Sequence, residues 1–206
     1  MRIPSEQNDE EAGGKDREAC CEMIETRRLI LRPFEAFDYD LIYRIYSDED
    51  ILRYTPFDPM NEKQAEQHLQ KVMDDWKREP CLSHEFAVCL RENGSKIGRA
   101  HILIDPDTDT GMIGMLLVQE CWGKHYASEI AEALICYSFK DLCLHRVNAV
   151  CSPDNTASWR MLEKCGMRRE ALLLQKCRYV KKGIVSWHDE LEYAMLASEY
   201  DGEETV

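Results

Sequence analysis

Residues 119–129 read QECWGKHYASE and connect a strand pattern to a helix pattern. Residues 112–118 before it are an apolar run typical of a strand, and residues 127–140 after it have apolar side chains at helical spacing. The N-terminus of a helix carries unpaired backbone N–H groups and partial positive charge, so a loop of small and basic residues there can hold phosphate. The stretch therefore predicts a site for a pyrophosphate-bearing cofactor. A Gly-Lys pair in a plain turn is the alternative that this pattern alone leaves open.

The composition indicates one globular domain. The chain has 206 residues, of which 44% are apolar and 32% charged, and this length is sufficient for a single core of ordinary size. No run of 18 apolar residues is present, so we expect no membrane span and no membrane partner. The N-terminal residues lack the basic and apolar regions of a secretory signal, and we expect a cytoplasmic protein.

The net charge of −13 is unevenly distributed. Residues 1–25 carry −5 and residues 199–206 carry −4, which leaves only −4 for the remainder. We therefore expect a disordered acidic tail over residues 1–22, a domain over 23–198 and an acidic C-terminal tail over 199–206. A nucleic-acid surface needs a basic stripe, so no nucleic-acid partner is expected. A mildly acidic body favours a cationic substrate such as an amine.

Ten cysteines are spread along the chain without a C-x-x-C pair and without histidines at zinc-finger spacing. This pattern predicts no metal site. Several cysteines lie within apolar runs, where a free thiol behaves as a small hydrophobic group. We interpret them as reduced cysteines of a cytosolic protein.

The alternation of patterns predicts an α/β fold with a mixed sheet and antiparallel hairpins at each end. Asn-Gly and Lys-Gly turns mark the hairpins, and Asn61 and Gly166 are expected at helix ends. The expected order is strand 26–32, helix 35–47, helix 61–78, strands 85–91, 96–104 and 110–118, helix 127–140, strand 145–151, helix 156–164, and strands 167–179 and 184–195.

Three motifs occur in order: WGKHYASE at 122–129, SPDNTAS at 152–158 and LEKCGM at 162–167. With TRRLILRPF near the start and GIVSWHDELEYAML near the end, they resemble the GNAT N-acetyltransferase superfamily. The similarity covers about residues 24–198 and is greatest to the branch with ribosomal-protein-alanine acetyltransferases, the acetyltransferase type 3 domain. It implies a mostly antiparallel seven-stranded sheet with helices on both faces. It also implies acetyl-CoA as cosubstrate.

The resemblance implies a set of cofactor-binding residues. The strand over 110–118 would separate from the strand over 145–151, and the backbone of Leu116, Leu117 and Val118 would pair with the pantetheine arm. Asn155 would hydrogen-bond pantetheine, although a simple helix cap explains it equally well. The pyrophosphate would lie on the backbone N–H groups of Gly123, Lys124, His125, Tyr126, Ala127 and Ser128.

Two positions depart from the family pattern. His125 replaces a glycine, which costs about a kcal/mol or more if the position needs a positive φ. Leu162 stands where many members have the tyrosine that protonates the departing thiolate. We select Ser158 as the substitute acid, with a surface serine as its alternative role. Cys165 is a weaker substitute because it reads as an apolar residue before a helix end.

An attacking amine must lose a proton to a carboxylate, a histidine or a water chain. His101 and Glu85 are the candidates, and a water-relayed base is equally compatible with the sequence. We expect an acetyl-CoA-dependent N-acetyltransferase in which a primary amine, from a small molecule or a protein N-terminus, attacks the thioester directly. Specificity is expected in residues 34–60, 78–84 and 177–187. The alternative is a non-catalytic acyl-CoA-binding module or sensor, and a homodimer is left open.

Overall fold

The computed structural model describes residues 23–202 and contains eight strands and four α-helices there. The expected tail over 1–22 and residues 203–206 lie outside the described part. The strands are β1 (Ile24–Glu25), β2 (Leu29–Pro33), β3 (Ser83–Leu90), β4 (Lys96–Asp105), β5 (Thr110–Leu117), β6 (Arg146–Cys151), β7 (Arg168–Lys181) and β8 (Ile184–Leu196). The helices are α1 (Tyr39–Tyr46), α2 (Glu62–Asp75), α3 (Tyr126–Lys140) and α4 (Thr156–Lys164).

Local signals set the ends of the helices. Asn61 caps α2 by accepting from the Gln64 backbone N–H at 3.0 Å, and the Gln64 side-chain oxygen accepts from Asn61 N at 2.9 Å. At the end of α4, Gly166 has φ +83° and Met167 N donates to Leu162 O at 3.1 Å. This is the arrangement in which a glycine accepts the left-handed conformation and closes the helix.

One sheet contains all eight strands in the order β1-β2-β3-β4-β5-β6-β8-β7. Its pairs are antiparallel except β5 with β6. The expected α/β class and mostly antiparallel sheet are confirmed, with eight strands rather than seven. The additional strand, β1, has two residues, which is too short for an alternating pattern to reveal it.

The two sheet faces have different coverings. Arg99 and His101 point to the face of α1, because Arg99 donates to the Tyr46 hydroxyl at 2.7 Å. The opposite face carries Phe86, whose ring lies 5.9 Å from Tyr137 of α3. Helices on both faces enclose a continuous apolar core, while the α1 face keeps charged groups. This asymmetry places polar chemistry on one face of the sheet.

The C-terminal part of the described chain contacts the domain. The Tyr200 ring lies 5.3 Å from Phe139 of α3, and Glu199 forms an ion pair with Arg168. The acidic segment expected to begin at 199 therefore has two residues attached to the body.

Candidate active site

Strands β5 and β6 separate part of the way along the sheet. They pair at three positions, the last being Met112 with Asn148. Beyond this point Gly114 and Leu116 of β5 face Cys151 across a cleft of about 620 Å³. The separation expected from the sequence is therefore present. A parallel pair that opens leaves backbone N–H and C=O groups without a strand partner, so the cleft can accept an extended ligand.

The parity of β5 determines which backbone groups face this opening. Val118 N donates to Ile97 O at 2.9 Å, and Val118 O accepts from Cys121 N at 3.0 Å. Because hydrogen bonds to one neighbour alternate along a strand, Leu116 also faces β4. Of the expected residues, Leu116 and Val118 thus direct their N–H groups to β4, and the N–H groups that face the opening are those of Met115 and Leu117. The Leu117 carbonyl already accepts from the Trp122 indole at 2.9 Å.

The predicted phosphate loop lies at the end of β5. A 3₁₀ turn (Gln119–Cys121) leads into Gly123 with φ +72° and His125 with φ +62°, and α3 begins at Tyr126. His125 thus has the positive φ that would make a glycine less costly at this position. The N–H groups of Tyr126, Ala127 and Ser128 have no acceptor within the helix because they occupy its first turn. The loop lies outside the walls of the 620 Å³ cleft and continues from its β5 wall.

The α4 side of the cleft brings two of the predicted residues together. Asn155 caps α4 by accepting from Ser158 N at 3.2 Å, so its amide oxygen is occupied while its NH₂ group remains available to a ligand. Ser158 lines the cleft together with Cys151. Burial raises the pKa of the Cys151 thiol, and the neighbouring Ser158 opposes this only in part. Leu162 forms part of the floor and is 3% exposed.

The two predicted base candidates occur in one buried polar cluster. Glu85 and His101 are opposite each other on β3 and β4, and both line the cleft. Arg99 forms an ion pair with Glu85 at 2.9 Å and contacts His101 Nδ1 at 2.6 Å. A guanidinium only donates, so His101 Nδ1 accepts and a neutral imidazole carries its proton on Nε2.

The electrostatics keep that imidazole neutral. Burial, followed by the positive charge of Arg99, lowers the pKa of His101 well below its ordinary value. Arg99, Tyr46 and Gly114 also belong to this cluster and were not expected from the sequence. A Cβ at Gly114 would lie 2.4 Å from His101 Cε1, so glycine provides the space for the ring. Alternation along β4 was the one signal that could have placed Arg99 beside His101.

The far wall of the cleft comes from residues 46–57 and from β7 and β8. Tyr179 donates to Tyr54 O at 3.1 Å, and Lys181 Nζ donates to Leu52 O at 2.7 Å. Burial raises the pKa of Tyr179 to about 12, so its hydroxyl remains a donor. Two of the expected specificity segments therefore supply this wall. Residues 78–84 do not line the cleft; Leu82 O accepts from Ile104 N at 2.8 Å and extends the pairing of β3 with β4.

Other expected features lie elsewhere. Cys165 packs between α3 and α4, where its thiol is 3.8 Å from Ser128 O and burial raises its pKa to about 12. It does not line the cleft. Among residues 23–202, no group of three His, Cys, Asp or Glu side chains is placed to hold a metal ion. No helix in the same range is long and apolar enough to cross a membrane.

Comparison with known proteins agrees with this geometry. The family model described as acetyltransferase (GNAT) domain matches residues 28–168. YnaD of Bacillus subtilis (strain 168), described as an uncharacterized N-acetyltransferase, is 35% identical over 178 residues, covering 86% of this chain and 99% of that protein. A GNAT-family acetyltransferase structure from Bacillus anthracis has a TM-score of 0.76 at 32% identity and covers 86% of this chain and 99% of its own.

A more distant structure shares the fold. Spermidine N-acetyltransferase from Vibrio cholerae, solved in complex with CoA and spermine, has a TM-score of 0.73 at 21% identity. The match covers 85% of this chain and 99% of that one.

Proposed function

The chain belongs to the GNAT family of N-acetyltransferases, and from that premise we propose that it transfers an acetyl group from acetyl-CoA to a primary amine. The amine attacks directly while both substrates are bound. The observation that carries this proposal is the separation of β5 from β6 beside Ser158, Glu85 and His101. It places free backbone groups next to groups that can exchange protons.

Three sets of groups, on β5, at the start of α4 and at the start of α3, suit different parts of acetyl-CoA. The Met115 and Leu117 N–H groups suit the amide-rich pantetheine arm, and the Asn155 NH₂ group suits one of its carbonyls. The first turn of α3 offers N–H groups to the pyrophosphate. When bound, acetyl-CoA supplies an activated thioester. The β5 N–H group nearest the bound thioester would stabilise charge developing on its oxygen.

Ser158 is our proposed acid. As the amine nitrogen bonds to the acetyl carbon and the carbon–sulfur bond breaks, Ser158 gives its hydroxyl proton to the leaving sulfur and regains one from solvent. It lines the cleft together with Cys151 of β6. Leu162 has no proton to give, which supports assigning this role to Ser158.

Glu85 is our proposed acceptor of the proton that the amine loses, directly or through a water molecule. His101 was the other candidate, but its Nδ1 lone pair is occupied by Arg99 and its Nε2 carries a proton. We propose that His101 donates a hydrogen bond into the cleft and holds a substrate or water there. Both roles belong to the polar cluster on the α1 face.

The acceptor is a primary amine of a small molecule or of a protein N-terminus. The eight described cysteines are free thiols, which supports a reducing cytoplasmic location. The second candidate function is acyl-CoA binding without turnover, favoured by Leu162 at the usual tyrosine position.

The test is release of free thiol from acetyl-CoA with a panel of amines: a diamine, a polyamine, an aminoglycoside, amino acids and short peptides with free N-termini. Acetyl-CoA affinity is measured in parallel by calorimetry. We expect binding and amine-dependent thiol release. Binding without release across the panel would favour the binding module, and absence of binding would refute both functions.

A further inference from the structure

The turn between β1 and β2 is connected to the start of α3 by a carboxylate. Glu129 accepts from Thr26 Oγ1 at 2.5 Å, from Arg28 N at 2.8 Å and from Arg28 Nε at 2.6 Å. Its side chain is 14% exposed and that of Arg28 is 34% exposed. Burial works to raise the pKa of Glu129, but the hydrogen bonds from Thr26 and Arg28 outweigh it and the pKa is lowered. The carboxylate is therefore a charged anchor for Arg28.

The other end of Arg28 holds the phosphate loop. Its Nη1 donates to Lys124 O at 3.1 Å and its Nη2 donates to His125 O at 3.2 Å. The guanidinium also lies 4.6 Å from the ring centre of Tyr126. One side chain thus contacts three successive residues where the backbone turns into α3.

These contacts orient the loop's N–H groups. In a planar trans peptide the C=O of one residue and the N–H of the next point in opposite directions. Because Arg28 holds the carbonyls of Lys124 and His125, the N–H groups of His125 and Tyr126 are directed away from the β1–β2 turn. This is the direction in which a phosphate could approach the loop and meet several donors together.

The same contacts account for two unfavourable features. A non-glycine residue such as His125 keeps an unfavourable positive φ only where surrounding contacts hold its backbone in place. In addition, Glu129 places a negative charge within the first turn of α3, close to where phosphates would lie. The Arg28 guanidinium neutralises that charge while using it as an anchor.

We infer that Arg28 is a positioning residue for the pyrophosphate of acetyl-CoA, and that it acts through the loop carbonyls rather than by contacting phosphate. Three of its five N–H donors are used on Glu129, Lys124 and His125. This inference rests on the proposed use of acetyl-CoA.

The experiment compares two acetyl donors in the full chain. Acetyl-CoA has the pyrophosphate, and acetyl-pantetheine lacks it. In Arg28→Lys, which keeps the charge and loses the planar fork, we expect the KM for acetyl-CoA to rise about tenfold with kcat little changed. Kinetics with acetyl-pantetheine should match those of the wild type. Arg27→Lys, an exposed neighbour in the same turn, is the matched control.

Glu129→Gln separates positioning from direct phosphate contact. Positioning requires the anchor, so this variant should also raise the KM for acetyl-CoA, by about threefold. If Arg28 instead touched phosphate, removal of the nearby negative charge would lower that KM and overturn the inference. Equal losses with both donors would show a merely structural role and would also overturn it.

The outcomes also separate this inference from the proposed function. Wild-type protein that binds no acetyl-CoA in calorimetry would refute both. Wild-type activity together with an unchanged acetyl-CoA KM in Arg28→Lys would refute the role of Arg28 alone.

Discussion

The two halves of the cleft are built in different ways. The proposed cofactor half consists of β5 and the start of α4, together with the adjoining loop over 118–125 and the start of α3, and it offers mainly backbone groups. The acceptor half, consisting of residues 46–57 and the ends of β7 and β8, is closed by side chains that reach distant backbone. The Tyr179 hydroxyl, for example, donates to Tyr54 O at 3.1 Å across 125 positions of sequence. Backbone recognition tolerates sequence change, whereas side-chain recognition depends on each residue.

Because of this difference, membership of the family indicates the cosubstrate but does not identify the amine. A shared cosubstrate needs only a separated strand pair and a helix N-terminus, and both follow from the fold. We propose that the amine meets Glu85, His101, Tyr54 and Tyr179, whose side chains line the cleft. Variants of the two halves should therefore change different kinetic constants.

The largest effect should come from filling the phosphate loop. Gly123→Val with Ala127→Val places branched side chains where phosphate would approach, and it forces a β-branched residue into a backbone with φ +72°. Several hydrogen bonds to a charged group would be lost together, so we expect acetyl-CoA affinity to fall more than about 100-fold. Calorimetry measures this, with Gly94→Val, at φ +71° in the β3–β4 turn, as the control for backbone strain. Unchanged acetyl-CoA affinity in the double variant would show that the loop does not bind the cosubstrate.

The next effect concerns the proposed acid. Ser158→Ala should lower kcat by about 100-fold, the lower end of the range for a general acid, with the acetyl-CoA KM little changed. Thr156→Ala removes an exposed hydroxyl from the same turn of α4 and serves as control. Wild-type turnover in Ser158→Ala would show that the thiolate gains its proton elsewhere.

Local signals made part of this molecule predictable. The bounds of α4 and the Asn61 cap followed from short-range patterns, and the position of the loop followed from the junction of a strand and a helix. The β5 groups that face the opening could not be assigned from sequence, because they depend on the pairing of Val118 with Ile97. The Arg99–Tyr46 contact joins residues 53 positions apart and needs the packing of α1 on the sheet. Long-range register and packing were therefore the missing information.

The role of His101 gives an intermediate effect and a test by pH. His101→Gln retains a donor and cannot titrate, so we expect kcat to fall less than about tenfold, with no change in the shape of the pH–rate profile. A loss above about 100-fold would instead support His101 as the base.

Stability provides a second readout of the same substitution. The pKa of folded His101 is depressed, so on acidification the unfolded chain takes up a proton before the folded chain does. The stability associated with His101 is thus present above its unfolded pKa, near 6.5, and is lost as pH falls below it. The Tm of His101→Gln should decline less than that of the wild type between pH 7.5 and 5.5. Parallel declines would contradict the neutral assignment.

A smaller effect is expected in the acceptor half. Tyr179→Phe removes the hydrogen bond to Tyr54 O and retains the ring that stacks on His188 at 4.2 Å. One neutral hydrogen bond is worth about 1 kcal/mol, so the amine KM should rise about fivefold while the acetyl-CoA KM stays constant. Tyr43→Phe, a tyrosine of α1 outside the cleft walls, is the control. An equal rise in the KM for the amine and the KM for acetyl-CoA would contradict the assignment of separate cofactor and acceptor halves.

The smallest effect should come from relieving His125. A non-glycine residue at φ +62° destabilises the folded state by about 1–2 kcal/mol. Replacing it with glycine removes this strain but costs about 0.5–1 kcal/mol, because glycine has greater freedom in the unfolded chain. His125→Gly should therefore raise the Tm by at most about 4 °C for a chain of this size. The acetyl-CoA KM should stay within about twofold, because backbone N–H groups need no particular side chain. Lys124→Gly is the matched control: Lys124 has no positive φ, so glycine there should only lower the Tm. A marked rise of KM in His125→Gly would show that the imidazole itself contacts the cosubstrate, and one side chain would then join the backbone groups that define the cofactor half.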